Sequence, residues 1–414
     1  MNSRPVDFHP EVVHGLRLAT LMLPQAMACA LLAGVPLAHG LYAALLPPLV
    51  AALTSAVSPL STGPVAMLSL LTGTLLLPYA PPFSEPFVAL VLLVTLLTGT
   101  IQLLLGLLRC GVMVNVLVHP VMIGAIHAAA IYMAATQMPR LLGLPSPDPQ
   151  IHLLAWINGM TPQIHWPSLA LGGSALALML LLKWRRPRWP HLLLVTTGAT
   201  LVSWLTDFAT LGGQVVGQVP AGLPSMALPA LSTQDLAGVL GCAAIIALAG
   251  SLQTSSVVRT MSAGSPRHID PNREMIAQGL ANLAGALTQA LPAAGSFSRS
   301  ALLSRAQVNS PIPALVAALV LTATLLWLTP LLQYLPIPLL GAIVLMMARE
   351  FFQPVALWHA WRLHPHDGVV ALVTLCTALW YAPHLEIGIL YGAALAAVLA
   401  GFRAMPSLHG LTRS

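Results

Sequence analysis

The chain has 414 residues, of which 57% are hydrophobic and only 7% charged, with 17 basic and 11 acidic side chains and a mean hydropathy of +0.84. Soluble domains carry about 25% charged residues because their surfaces face water. This composition excludes a cytosolic enzyme, a disordered regulator and a disulfide-framed secreted domain, and it describes an all-α integral membrane protein. The net charge of +6 does not point to nucleic acid, because the basic residues are scattered where a binding face would concentrate them. Cys29, Cys110, Cys242 and Cys376 are far apart with no CxxC spacing, and read as small buried hydrophobes.

A spanning helix needs about 20 mostly apolar residues. The first such run, Arg17–Leu32, contains Pro24-Gln25 and Ala28-Cys29-Ala30. The latter resembles a cleavage site but lies inside the run, so an uncleaved span is expected. Leu37–Thr54, Pro64–Leu77, Phe87–Leu108, Val114–Met138, Leu169–Leu182 and His191–Leu205 follow. After a polar gap come Leu236–Val257, Met275–Leu291, Ser298–Ala306, Ile312–Leu328, Leu335–Met347, Gly368–Trp380 and Ile387–Phe402. The expected organisation is a cytoplasmic N-terminus at 1–14, seven spans in 15–207, an extracellular linker at 208–235, seven spans in 236–403 and a cytoplasmic tail at 404–414.

Charge supports that count. With the N-terminus inside, Arg4, Arg17, Arg109, Lys183, Arg185, Arg186, Arg188, Arg259, Arg267, Arg273, Arg305, Arg349, Arg362, Arg403 and Arg413 all fall on the cytoplasmic side. Arg140 is outside and Arg299 lies within the membrane. Seven is odd, so the second group of spans enters opposite in direction to the first, giving a 7+7 inverted repeat. The third and tenth runs are unusually short and occupy equivalent places, which is the best sequence pointer to a binding site. Gly63-Pro64 puts a proline where a helix can start, and Ser296 is placed to cap the tenth run. If both are half-helices, their N-termini face each other, and two partially positive ends aimed at one spot make an anion site.

Arg299, in Ser296-Phe297-Ser298-Arg299-Ser300, is the charge left unexplained by topology. An arginine at mid-bilayer costs about 3 kcal/mol on insertion scales, so it must face protein, water or ligand. It reads as a cationic anchor for an anion, against the plainer reading of an arginine satisfied by carbonyls. Ser298, Ser300, Ser69 and Thr62 add hydroxyls, each of which can equally back-bond to its own turn. Gln25, beside a proline break, is either interhelical glue or a ligand. Gln253-Thr254-Ser255-Ser256 forms a polar patch in the eighth run, and Phe297 either seals the site or packs. His119 and His127 read as core histidines. His364, His366 and Asp367 lack the further ligands a metal needs. No cofactor is implied, and no motif of a nucleophilic, metal-dependent or phosphate-cradling enzyme is present.

Pro24-Gln25-Ala26-Met27-Ala28, Gly40-Leu41-Tyr42-Ala43-Ala44, Ser61-Thr62-Gly63-Pro64-Val65-Ala66, Val219-Pro220-Ala221-Gly222-Leu223-Pro224, Ile269-Asp270-Pro271-Asn272, Gly279-Leu280-Ala281-Asn282 and Gly295-Ser296-Phe297-Ser298-Arg299-Ser300 together resemble the signature of the SulP anion transporters, the solute carrier 26 family. The resemblance covers nearly the whole chain, in order. It implies core spans 1–4 and 8–11, gate spans 5–7 and 12–14, and elevator-like movement of one against the other. Small anions (sulfate, bicarbonate, chloride or dicarboxylates) would bind between spans 3 and 10, at Gln25, Pro64, Val65, Ala66, Met67, Gln253, Phe297, Ser298 and Arg299.

Two departures stand out. Family members commonly carry an acid where this chain has Gln253, and with no carboxylate near mid-membrane the site is expected not to take up a proton with its substrate. The cytoplasmic STAS domain usual in the family is expected to be absent. An inner-membrane, multi-pass location is implied and a homodimer is left open. An anion channel on the same fold and a nucleobase-type symporter are the alternatives, the latter disfavoured by the missing carboxylates.

Overall fold

A computed structural model describes residues 8–404 except 56, 58, 59, 112–118, 145–163, 187, 188, 227–235, 263–269, 309, 353 and 364. The beginnings of the N-terminal segment and of the fifth run, the end of the linker, His364 and residues 405–414 therefore lie outside the described residues.

The first helix, α1, runs Phe8–Ala33 straight through Pro24. The break expected beside Gln25 is thus confined to the one hydrogen bond that proline cannot donate. The second apolar run is instead broken in two, α2 (Leu37–Ala43) and α3 (Leu46–Thr54). Pro47 and Pro48 both lack an N–H and are tolerated only in a first turn, so a new helix has to begin there. Next come a short strand, β1 (Thr62–Pro64), and helices α4 (Ala66–Leu76), α5 (Glu85–Leu107), α6 (His119–Leu142), α7 (Trp166–Arg185) and α8 (His191–Leu205). Ser84 starts α5 by accepting from the Phe87 N–H.

Beyond the linker lie α9 (Leu236–Ser262), α10 (Pro271–Leu287), β2 (Ala293–Gly295), α11 (Phe297–Arg305) and α12 (Ile312–Ala323). The last continues through a π-helical turn, Thr324–Leu328, into α13 (Thr329–Leu332), so the eleventh run bulges rather than running straight. The chain then forms α14 (Ile337–Phe351), α15 (Pro354–Leu363), α16 (Pro365–Trp380) and α17 (Leu385–Ala404). Helix α15 was not expected, since its tryptophans, histidine and arginine interrupt any apolar run.

Seven helical stretches among the described residues, with Leu37–Thr54 (α2 and α3) and Ile312–Leu332 (α12 to α13) each taken as one, are long and apolar enough to cross a membrane, and Ala66–Leu76, His191–Leu205 and Leu385–Leu399 are shorter apolar helices. The architecture is helical throughout except for β1 and β2, which pair antiparallel with Gly63 opposite Ala294. Helix α10 packs chiefly on α5 and α3, α1 on α12 and α2, and α6 on α14 and α16. Closeness at the α5–α10 crossing depends on glycine. A Cβ on Gly279 would meet the Leu103 backbone N at 2.6 Å, and one on Gly99 the Leu283 backbone N at 2.7 Å. Small residues that let backbones touch are the usual means of joining helices in lipid. Of the cysteines, Cys29 and Cys242 are buried as expected, whereas Cys376 is exposed; none is paired.

Candidate functional site

The two short helices begin at the two paired strands. Register sets Thr62 against Gly295 and Pro64 against Ala293, so α4 and α11 start from opposite ends of one antiparallel ribbon. Pro64 ends the strand rather than opening the helix, and Val65 is the residue that precedes α4. Ser296 precedes α11 but its side chain makes no capping bond. Helical bonding starts only with Ser69 N donating to Val65 O and Ser300 N to Ser296 O, both at 3.0 Å. The three amides before each lie outside the helical ladder, as at any helix start. At 11 and 9 residues the helices rise about 16 and 13 Å, well short of the roughly 30 Å hydrocarbon layer.

Buried side chains hold the ribbon in place. Asn282 on α10 donates to Ala293 O (3.0 Å) and accepts from Ala293 N (2.7 Å). It also donates to Gln102 Oε1 on α5 at 2.8 Å, and Gln102 in turn donates to Ala247 O on α9. Gln253 Nε2 donates to Gly295 O (3.0 Å), and Gly295 N donates to Thr254 Oγ1 (2.9 Å). On β1, Thr62 Oγ1 accepts from Gln278, which also bonds Glu274. Ser61 N donates to Ser300 Oγ at 2.9 Å. The polar patch of the eighth run and Ser300 therefore act largely as clamps on the backbone.

A small cleft opens at this junction, lined by Gln25, Pro64, Val65, Ala66, Gln253, Ser296, Phe297, Ser298, Arg299, Met347, Glu350 and Phe351. Eight of the nine residues expected at the site thus line one cleft. Met67 does not; its side chain is fully buried in the apolar core, because a helix turns successive side chains by about 100°. Ser69 is buried and also off the lining. His127 bonds its own helix at Ile123 O, away from the cleft. His119's side chain lies outside the described residues, and no metal-binding cluster occurs among the described residues.

Arg299 is the largest fully buried side chain described. Its Nη1 donates to Pro64 O at 3.1 Å and to Gln25 Oε1 at 3.3 Å, while Nε and Nη2 have no hydrogen-bond partner among the described residues. The plain reading of an arginine satisfied by carbonyls accounts for one nitrogen of three. Space for the guanidinium comes from Gly63, with φ +151°, where a Cβ would stand 3.1 Å from Arg299 Nη2. Buried charge without a counter-charge is costly, and donors left open on a positive group suit an anion.

One cleft residue departs from expectation. The twelfth run was expected to end at Met347, but α14 continues to Phe351. That extra turn brings Glu350 onto the lining with Met347 and Phe351. The cleft therefore does contain a carboxylate. Glu350 carries an ion pair from Lys183 Nζ at 3.1 Å. Glu350 was not singled out from sequence, since it hides in a charged stretch at a helix end, and Asn282 entered only as part of a motif, with no role given to it. Asn282 with Gln278 one turn earlier in an apolar run was a readable signal of buried polar work.

Residues 8–374 match the sequence profile of the sulfate permease family. The chain belongs to the sulfate permease family. Its relatives include the probable sulfate transporter 3.3 of Arabidopsis thaliana, 30% identical over 404 residues, with 94% of this chain and 64% of that protein covered. A probable sulfate transporter of Mycobacterium tuberculosis is 29% identical over 94% of this chain and 69% of its own length. The chain spans 64% and 57% of the first two Arabidopsis relatives. In fold it matches the murine solute carrier 26 family member A9 anion transporter in an inward-facing state. The TM-score is 0.85 at 23% identity, covering 97% of this chain and 69% of that one. It also matches the transmembrane domain of a cyanobacterium bicarbonate transporter, BicA, with a TM-score of 0.77 at 18% identity over 95% and 98% of the two chains. These relatives of the permease family are transporters, not enzymes.

Proposed function

We propose that this sulfate permease homologue is a secondary transporter of small anions, with sulfate or bicarbonate as leading substrates, and that the anion binds between the starts of α4 and α11. The observation that carries this is the buried guanidinium of Arg299, whose Nε and Nη2 are open in a cleft that also receives two helix N-termini. Gln25, Pro64, Val65, Ala66, Gln253, Phe297 and Ser298 form the rest of the pocket. Met67 contributes through its backbone amide.

The fourteen-span reading accompanies this proposal, with inverted halves 15–207 and 236–403, linker 208–235 outside, and the segments 1–14 and 404–414 in the cytoplasm of an inner-membrane protein. Packing supports an elevator-like movement. Helices α3, α5, α9 and α10 pack on one another, and α6, α7, α14, α16 and α17 do the same in a second group. The cleft lies where the groups meet, since Glu350 and its neighbours come from the second, and Arg299 comes from α11, which packs on α9 of the first.

Uptake of labelled sulfate and chloride into proteoliposomes tests the reading, with counterflow to separate a carrier from a channel. Arg299→Ala should abolish uptake and binding while leaving the purified protein folded. Retention of both would place the site elsewhere.

A further inference from the structure

Two short segments concentrate residue types that the chain elsewhere spreads thinly. Positions 183–189 and 349–362 hold six of the 17 basic residues and four of the nine tryptophans, against a single acid, Glu350. The fold brings the two segments to the same end of neighbouring helices. Lys183, in the last turn of α7, pairs at 3.1 Å with Glu350, in the last turn of α14. That pair cancels the one acid. Arg185, Arg186, Arg349 and Arg362 are left over, and all four are exposed.

Tryptophans stand against these arginines. Arg185 lies over the Trp184 ring at 5.1 Å and Arg362 over the Trp358 ring at 5.0 Å. Helix α15 packs on α16 and α6 and leaves Val355, Trp358 and Trp361 exposed; Trp184 and Trp189 are exposed as well. Spacings of three and four put Val355, Trp358 and Arg362 on one face of α15. Such a face, apolar and aromatic with an arginine in it, suits neither bulk water nor hydrocarbon. It suits the headgroup layer, where tryptophan rings gather and basic amphipathic helices lie flat.

We propose that the end of α7 and helix α15 together form a binding surface for anionic phospholipids of the surrounding bilayer, with Arg185 and Arg362 holding the headgroup phosphate and Trp184 and Trp358 seating the lipid's glycerol and upper chain. The inference needs only that the chain spans a membrane, and it stands apart from the anion-transport reading above. Arginine matches phosphate oxygens with a planar fork of donors and stacks on aromatic faces at the same time. The tryptophans decide for a lipid over a soluble phosphate: a free anion gives an exposed indole nothing to pack on, whereas a headgroup brings its own apolar chain. Arg259 on α9 and Arg273 on α10 are also exposed, but no tryptophan occurs at 205–326. They supply charge without the aromatic half of the surface.

The test is lipid binding to the purified full chain in detergent, counted by native mass spectrometry at one ionic strength, with phosphatidylglycerol as the anionic probe and phosphatidylcholine as the neutral one. A basic side chain beside an anionic lipid surface is worth about fivefold in affinity. Wild type should prefer phosphatidylglycerol, and Arg185→Gln with Arg362→Gln should lower its affinity for that lipid about 25-fold while leaving phosphatidylcholine unchanged. Arg259→Gln with Arg273→Gln removes the same charge and should change neither. Trp184→Leu with Trp358→Leu should weaken both lipids alike. The inference falls if wild type shows no preference, if the Arg185/Arg362 variant keeps it, if the Arg259/Arg273 variant loses it equally, or if the tryptophan variant binds as wild type does. Glycerol 3-phosphate at matched ionic strength should not displace phosphatidylglycerol; displacement would make the occupant a soluble phosphate and overturn the lipid assignment.

Discussion

The two strand–helix units, β1–α4 and β2–α11, share a geometry and divide the labour. Each is three strand residues followed by a helix too short to cross the membrane. Yet α4 is apolar and buried along its whole length, whereas α11 carries Arg299, Ser298, Ser300 and an exposed Arg305. The first unit supplies shape: Gly63 makes room for the guanidinium and Pro64 O accepts from it. The second supplies charge. Pairing the strands brings the charge of one unit into the space left by the other, so a site can arise without either half being complete.

Removing the charged half should give the largest effect. Arg299→Ala deletes the only fully buried charge described on the lining, and a hydrogen bond to a charged group is worth about 1.5–3 kcal/mol. With two open nitrogens meeting one anion, affinity should fall about 100-fold or more, measured by sulfate binding to purified protein. A fall of less than tenfold would mean that helix N-termini dominate. Next, Asn282→Leu should destabilise by about 2–5 kcal/mol, because Ala293 then has an unmet buried N–H and C=O at about 1–3 kcal/mol each. Thermal melting should show it even without anion, which separates loss of the ribbon from loss of the site.

Gly63→Ala tests the shape-giving unit. Its φ of +151° disfavours any side chain, and the new Cβ would crowd Arg299 Nη2 at 3.1 Å. About 1–3 kcal/mol of strain is expected, together with weakened anion binding as the guanidinium shifts. Gly295→Ala is its counterpart on β2. There a Cβ meets Leu60 Cδ1 at 3.2 Å and Thr254 at 3.3 Å, with no positive φ to maintain. Binding should change less than for Gly63→Ala; equal losses would contradict the division between the two units.

What could be read from sequence follows the reach of the physics involved. Apolar runs mark helices because lipid requires them, and the seventh run, His191–Leu205, matches α8 at both ends. The short third and tenth runs pointed to a binding site, though not to the paired strands from which α4 and α11 start, and Arg299 stood out because charge is scarce. Positions that depend on helix phase were less accessible. Met67 is one residue from the lining yet faces the core, and Glu350 required one more turn of α14 than its composition suggested. The Gln102–Asn282–Ala293 chain joins residues about 180 positions apart in sequence, and only the glycine-mediated α5–α10 contact brings them together.

Gln25→Ala should have the smallest effect and is the sharpest test of whether the anion or the protein holds Arg299. Gln25 accepts from Nη1 at 3.3 Å, longer than the 3.1 Å bond from the same nitrogen to Pro64 O. Its loss leaves Nη1 with a backbone acceptor, so stability should fall by only about 0.5–1.5 kcal/mol. Anion binding can move either way, and the direction is diagnostic. If Gln25 merely orients the guanidinium, affinity drops by up to about tenfold as Arg299 loses its aim. If Gln25 Oε1 competes with the anion for Nη1, affinity rises, because that donor is freed for the ligand. Since Pro64 O already fixes the nitrogen from the shape-giving wall, the first outcome is expected, and sulfate titration of Gln25→Ala against wild type decides it.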